Sequence, residues 1–141
     1  MILYLDTSAL VKLYVPETDS AMIKQLVDAA ELTAMSRVSY VEAKAAFARK
    51  RREQAVTLKD YRTLVQDFDN DWETFFIVDV SETLIKRAGQ LAERYGLRGY
   101  DAVHLASGVI VGEQAHQAVR FACFDERLSR AARREGLHVP P

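Results

Sequence analysis

Four acidic residues, Asp6, Glu42, Asp101 and Asp125, lie far apart in the chain, and each stands where an apolar run or a loop gives way to a helical pattern. Asp6 ends the run Ile2-Leu3-Tyr4-Leu5 and opens Asp6-Thr7-Ser8-Ala9-Leu10. Asp125 ends the run from Val119 to Phe124 and opens Asp125-Glu126-Arg127-Leu128. In a parallel α/β sheet, ligands bind beyond the carboxyl ends of the strands. Two strand-end acids can therefore share one cleft, with Glu42 and Asp101 brought in from helix starts. Packed carboxylates repel, by up to ~4 kcal/mol per pair at ~4 Å and an effective dielectric of ~20. A divalent cation relieves that repulsion, and all-oxygen ligands select a hard one, Mg²⁺ or Mn²⁺. The chemistry to expect is metal-dependent phosphodiester cleavage.

Each acid also has a plainer reading. Ser39-x-x-Glu42 matches a capping box, in which Glu42 only satisfies a backbone N–H. Asp101 in a first helical turn complements the helix dipole, and Asp125 can cap the last helix. Asp6 is harder to explain this way, because a charge after four apolar residues needs a partner. Thr7 and Ser8 offer hydroxyls that can orient its carboxylate or cap the next helix.

The elements that must position these residues alternate along the chain. Strands are expected at Ile2–Leu5, Leu32–Met35, Phe75–Val80 and Val119–Phe124, with a short edge strand at His138-Val139. Ser8–Tyr14 reads as a short helix stopped ahead of Pro16. Ser20–Ala30 is amphipathic, with Met22, Ile23, Leu26 and Val27 on one face. A long helix runs from Ser39 to Arg52. Thr57 caps another that reaches Trp72, with Leu58, Tyr61, Leu64, Val65 and Phe68 inward. Ser81 caps a helix ending near Tyr95, where Gly96 suits the left-handed C′ position. Tyr100–Val111 and Glu126–Glu135 complete the set, the last closed by Gly136. Strands alternating with helices predict an α/β, three-layer fold: a parallel sheet of about four or five strands flanked by helices. No linker divides the chain, so residues 1–141 are expected to form one domain.

Composition sets bounds. The 141 residues are 49% apolar and 28% charged, which suits a globular protein with a real core and argues against disorder. The net charge of −1 excludes bulk attraction to polyanions, so any nucleic-acid contact must use a local basic patch. Cys123 is the only cysteine, which rules out an internal disulfide. No run approaches a membrane span, and Met1–Leu5 is too short for a signal peptide. A cytoplasmic protein is expected.

The motifs Asp6-Thr7-Ser8-Ala9-Leu10, Ser39-Tyr40-Val41-Glu42-Ala43, Asp101-Ala102-Val103-His104-Leu105-Ala106 and Phe121-Ala122-Cys123-Phe124-Asp125-Glu126-Arg127-Leu128, in that order, resemble a PIN domain over essentially the whole chain. Among these the chain is most similar to VapC-type toxins of toxin–antitoxin pairs. The resemblance implies a Mg²⁺- or Mn²⁺-dependent endoribonuclease leaving 5′-phosphate and 3′-hydroxyl ends. It maps a catalytic quartet onto Asp6, Glu42, Asp101 and Asp125. Asp6 and Asp101 would bind the principal metal; Glu42 and Asp125 would complete the shell through water or a second ion. It also implies an RNA substrate, a small antitoxin partner and a homodimer. The apolar faces of Ser20–Ala30 and Thr57–Trp72 are the expected docking surface. One departure is Cys123, where many relatives carry Thr or Ser; a thiol hydrogen-bonds less well, and packing is its expected role.

His104, one turn after Asp101, is expected to contact substrate, to hold Asp101, or to be a structural histidine. Gly108-x-x-x-Gly112 permits close helix packing. Arg127, Arg130 and Arg134 fall near one face of the last helix, and Arg49-Lys50-Arg51-Arg52 ends another; both are solvated faces or grips for RNA phosphates. Tyr14, Tyr40 and Tyr100 are core residues or stacking platforms for bases. An aspartyl-nucleophile phosphatase is disfavoured, since Ser8 stands where its second carboxylate belongs. The remaining alternative is a catalytically silent module that keeps the fold but only binds RNA or protein.

Overall fold

The computed structural model describes residues 1–141. Ile2–Leu5 forms strand β1, and all four residues are buried, because β1 lies inside the sheet with both faces covered. Its neighbours are β2 (Leu32–Ser36) and β4 (Val119–Ala122), with β3 (Phe76–Val78) beyond β2. The order is β3-β2-β1-β4 and every pairing is parallel. Helices α1 (Thr7–Val11) and α2 (Ser20–Ala29) connect β1 to β2; α3 (Ser39–Arg52) and α4 (Leu58–Trp72) connect β2 to β3. Helices α5 (Glu82–Tyr95) and α6 (Gly99–Ala115) connect β3 to β4, and α7 (Glu126–Arg134) follows β4.

The period-two alternation of β1 divides the core. Ile2 and Tyr4 join a cluster with Leu84, Leu91, Leu105, Phe121 and Leu128, beneath α5, α6 and α7. Leu3 and Leu5 point the other way, to Leu10, Ile23, Phe47, Leu64 and Phe68 of α1 to α4. These are the three expected layers.

The chain adds β2 and β3 on one side of β1, then crosses to add β4 on the other. The strand order therefore reverses between β1 and β4, where an open α/β sheet forms its binding crevice. Asp6 follows β1 and Asp125 follows β4, so both acids stand at that reversal.

Local chemistry sets the helix starts. Thr57 accepts the Asp60 N–H, Ser81 accepts the Leu84 N–H, and Asp125 accepts the Leu128 N–H. Gly96, at φ 63°, ends α5 in the left-handed region, a conformation that costs glycine little. Gly108 does not bring two helices together. A Cβ there would come within 2.8 Å of the Phe121 ring of β4, so the glycine lets α6 lie close on the sheet.

Several boundaries differ from expectation. β3 and β4 end at Val78 and Ala122, short of Val80 and Phe124. α6 runs on past Val111 to Ala115, until His116 turns left-handed. His138 makes one isolated bridge to Arg120 in place of a fifth strand. The apolar faces of α2 and α4 are not free: Ile23, Leu64 and Phe68 are buried, and Met22, Leu26, Val27, Tyr61 and Val65 pack against them. Leu58, expected inward, is exposed.

Candidate active site

Asp6 forms the floor of the crevice and is 5% exposed. Its backbone continues the β1–β4 pairing, with the Asp6 N–H donating to the Ala122 carbonyl at 3.1 Å. Its Oδ1 accepts the Ala9 N–H at 2.9 Å and the Ser8 hydroxyl at 2.7 Å. Oδ2 has no protein donor. Burial pushes this carboxyl above the ordinary aspartate range; His104, Ala9 and Ser8 pull it down, and the Asp101 charge adds to the upward push. Asp6 and Asp101 are thus near enough to repel.

Glu42 is not a capping residue. The N-cap of α3 is Val38 with no side-chain cap, and Ser39 is the first helical residue, its buried hydroxyl unpaired. Glu42 Oε1 instead accepts the Thr7 hydroxyl at 2.6 Å and lies 2.9 Å from His104 Nε2. Burial acts to raise the Glu42 carboxyl, but the hydrogen bonds from His104 and Thr7 outweigh it and hold the group below the usual carboxylate range. Oε2 has no protein donor.

His104 is 2% exposed and does not hold Asp101; its Nδ1 lies 2.8 Å from the Tyr4 hydroxyl and its Nε2 faces Glu42 and Thr7. Asp101 meets Arg98 instead, one turn earlier, with Arg98 Nε 3.4 Å from its Oδ2. The same guanidinium lies 4.0 Å from Asp125 Oδ2, while Asp125 Oδ1 caps α7. Sequence reasoning missed Arg98. Its signal was a base three residues ahead of an acid at a helix start, an i,i+3 pair.

The four acids are therefore joined in one constellation. Thr7, next to Asp6, bonds Glu42; Glu42 meets His104, one turn from Asp101; Arg98 spans Asp101 and Asp125. Exposure grades outward from Asp6 through the side chains of Asp101 (23%), Glu42 (29%) and Asp125 (44%), so the cluster opens to solvent at one end. A cavity of about 290 Å³ adjoins it, lined by Gly96, Leu97, Arg98, Asp101, Asp125 and Arg127. Arg127 is fixed there by donating to the Gly96 carbonyl at 2.9 Å. Arg130 pairs with Glu126 on the exposed face of α7, and Arg134 has no ionic partner.

No three His, Cys, Asp or Glu side chains stand close enough together to enclose an ion as they are. The donor chemistry nevertheless fits a hard divalent cation. Asp6 and Glu42 each have one oxygen bound by the protein and the other without a protein donor. For Asp6 that free oxygen belongs to a nearly buried carboxylate, which a counter-charge would relieve.

Of the other singled-out residues, Cys123, Tyr14 and Tyr40 have structural partners. Cys123 is buried, 3.2 Å from the Ser129 hydroxyl, and burial pushes its thiol up to about 12, so it is not a reactive nucleophile. Tyr14 bonds Asp71 and packs on Phe47 and Phe68; Tyr40 bonds Asp69 and packs on Phe68 and Trp72. Tyr100 alone of the three is widely exposed, at 63%. In the α3 basic run, Arg49 pairs with Glu53 and Lys50 with Glu17.

Residues 3–134 match the PIN domain family. The chain is 35% identical over 140 residues to Ribonuclease VapC45 of Mycobacterium tuberculosis, covering 99% of this chain and 95% of that protein. FitAcB from Neisseria gonorrhoeae shares the fold at TM-score 0.69 and 18% identity, over 100% of this chain and 97% of the other. A toxin-antitoxin complex from Klebsiella pneumoniae does so at TM-score 0.57 and 19% identity, over 84% and 83%. Family match, whole-length identity and crevice architecture agree, and the chain belongs to the PIN-domain family, as a protein of the VapC type.

Proposed function

We propose that this protein is a Mg²⁺- or Mn²⁺-dependent endoribonuclease and the toxin of a toxin–antitoxin pair. The observation that carries the reading is the linked quartet at the β1/β4 reversal, with the free oxygens of Asp6 and Glu42 left for a cation or water. A VapC ribonuclease 35% identical along the whole chain supports the substrate class. Asp6 and Asp101 hold the principal cation, and Glu42 and Asp125 complete its shell. When bound, that ion neutralises the acids, polarises a phosphate oxygen and makes water a stronger nucleophile.

The protein's own groups then do the rest. Ser8 and the Ala9 N–H orient Asp6, and Thr7 and His104 keep Glu42 ionised. Arg127 and Arg98, on the cavity wall, grip RNA phosphates, with Arg130 and Arg134 extending the track along α7. Arg98 also supplies partial counter-charge to Asp101 and Asp125 before the cation binds. The partner is a small antitoxin, supported by the likeness to a toxin-antitoxin complex. Self-association as a homodimer is assigned to the groove between α5 and α6, a cavity of about 320 Å³ flanked by exposed Ile85 and Tyr100. No helix is long and apolar enough to cross a membrane, in keeping with action on RNA in the cytoplasm.

The silent-module alternative draws on the acids not yet enclosing an ion. Incubating the purified protein with RNA in Mg²⁺, in Mn²⁺ and in EDTA separates the two. The proposal expects cation-dependent fragments with 5′-phosphate ends; RNA bound but intact in every condition would favour the module.

A further inference from the structure

A chain of hydrogen bonds runs from the middle of the sheet to the acid cluster. Tyr4, on β1, is wholly buried and its ring stacks on Phe121 at 5.1 Å. Its hydroxyl is 2.8 Å from His104 Nδ1, with the Ser107 side chain and the Ser36 backbone also beside it. His104 Nε2 lies 2.9 Å from Glu42 Oε1 and 3.2 Å from Thr7 Oγ1, and Thr7 donates to the same Glu42 oxygen at 2.6 Å. These residues come from β1, α1, α3 and α6, and none of the bonds is local in sequence.

Donor and acceptor counting fixes the direction of the chain. A buried tyrosine hydroxyl must give its proton to some acceptor. Glu42 Oε1 can only accept, so His104 Nε2, 2.9 Å away, carries a proton, and Nδ1 of the neutral ring is left to accept from Tyr4. An imidazole that accepts at Nδ1 carries its proton at Nε2. Nε2–H then faces a carboxylate oxygen, the acceptor it requires.

We propose that Tyr4 and His104 are positioning residues for Glu42: the Tyr4 hydroxyl sets the Nε2–H tautomer of His104, and that N–H, with the Thr7 hydroxyl, ties Glu42 Oε1 and leaves Oε2 for the reaction. The inference rests on Glu42 belonging to the catalytic quartet. Two donors on one oxygen remove the freedom of a side chain that is otherwise on an open helix face. Orientation of this kind acts on turnover more than on RNA binding.

The test has a spectroscopic and a kinetic arm. The chain has three histidines, so ring-nitrogen NMR on the ¹⁵N-histidine-labelled, metal-free protein can assign His104. The expected result is an unprotonated Nδ1 and a protonated Nε2; a protonated Nδ1 overturns the proposal. In the kinetic arm, His104→Gln places an amide N–H near the Nε2 position, whereas His104→Asn places it near Nδ1. Gln should keep kcat within about threefold of wild type. Asn and Ala should lose about tenfold or more in kcat, with KM for RNA within about twofold. In a Glu42→Gln background, His104→Ala should cause little further loss, because both act through one group. Equal loss in the Gln and Asn variants, or losses that multiply in the double variant, would overturn the positioning role. Full activity of Glu42→Gln alone would instead remove Glu42 from the quartet, and the positioning role with it, while leaving the tautomer assignment intact.

Discussion

Replacing Asp6 with Asn should stabilise the metal-free protein while abolishing its activity. The carboxylate is 5% exposed and sits near Asp101. Asn keeps an oxygen to accept from Ala9 and Ser8, so both bonds survive in weaker, uncharged form, at a loss of about 1 kcal/mol each. Against that, the variant no longer holds an ion out of water, a penalty of several kcal/mol, and no longer repels Asp101. The difference favours Asn by on the order of 1–3 kcal/mol, or roughly 4 °C in Tm per kcal/mol at this size. The sign follows from the raised Asp6 carboxyl. The folded state binds that proton more tightly than the unfolded chain, so wild-type stability from this group is full below the ordinary value of about 4 and declines as pH rises through the folded value. The Asn advantage should therefore be absent near pH 3 and reach its plateau above the folded pKa. Thermal melts in EDTA across pH measure it. Millimolar Mg²⁺ should raise the wild-type Tm and leave Asp6→Asn nearly unmoved. A variant less stable than wild type at neutral pH in EDTA would refute the reasoning that this carboxylate is held at a cost.

Glu42→Gln should behave oppositely, since His104 and Thr7 hold Glu42 below the usual range. It should lose about 1 kcal/mol above pH ~4.3, and that deficit should vanish as pH falls through the depressed folded value; EDTA melts at pH 3 and pH 7 check this. Arg127→Ala should weaken binding of all single-stranded RNAs alike and lower the salt slope by roughly 0.7, measured on a cleavage-dead protein at several salt concentrations, whereas Arg130, already paired with Glu126, should matter less. Gly108→Ala drives a Cβ to 2.8 Å from the Phe121 ring that stacks on Tyr4; overpacking of about 1–3 kcal/mol should exceed the helix-propensity gain of about 1 kcal/mol and lower Tm.

What the sequence made legible was local or periodic. Thr57, Ser81 and Asp125 cap their helices through bonds spanning three residues, and the four buried residues of β1 follow from an unbroken apolar run. The site was legible as a list of acids but not as a set of partners. Ser39-x-x-Glu42 has the local form of a capping box, yet Glu42 finds Thr7, 35 residues away, and His104, 62 away. His104 shares a helix face with Asp101 but reaches across to Tyr4 on β1. Arg98 could be paired with Asp101 by spacing; its reach to Asp125 exists only because β4 returns beside β1. The apolar faces of α2 and α4 looked like surplus for a partner because sequence does not reveal that one side of the sheet needs all of α1 to α4 to cover it.

The most direct test of the cation-dependent quartet is single-turnover cleavage of an end-labelled RNA across a Mn²⁺ titration, for wild type and Asp101→Asn. Asp101 is the acid that both repels Asp6 and borders the open cavity. Wild type should show no cleavage in EDTA and a saturable rise with Mn²⁺. Folded Asp101→Asn should be slower by more than about 100-fold, equivalent to about 2.7 kcal/mol. Cleavage by wild type in EDTA, or undiminished cleavage by Asp101→Asn, would contradict the account.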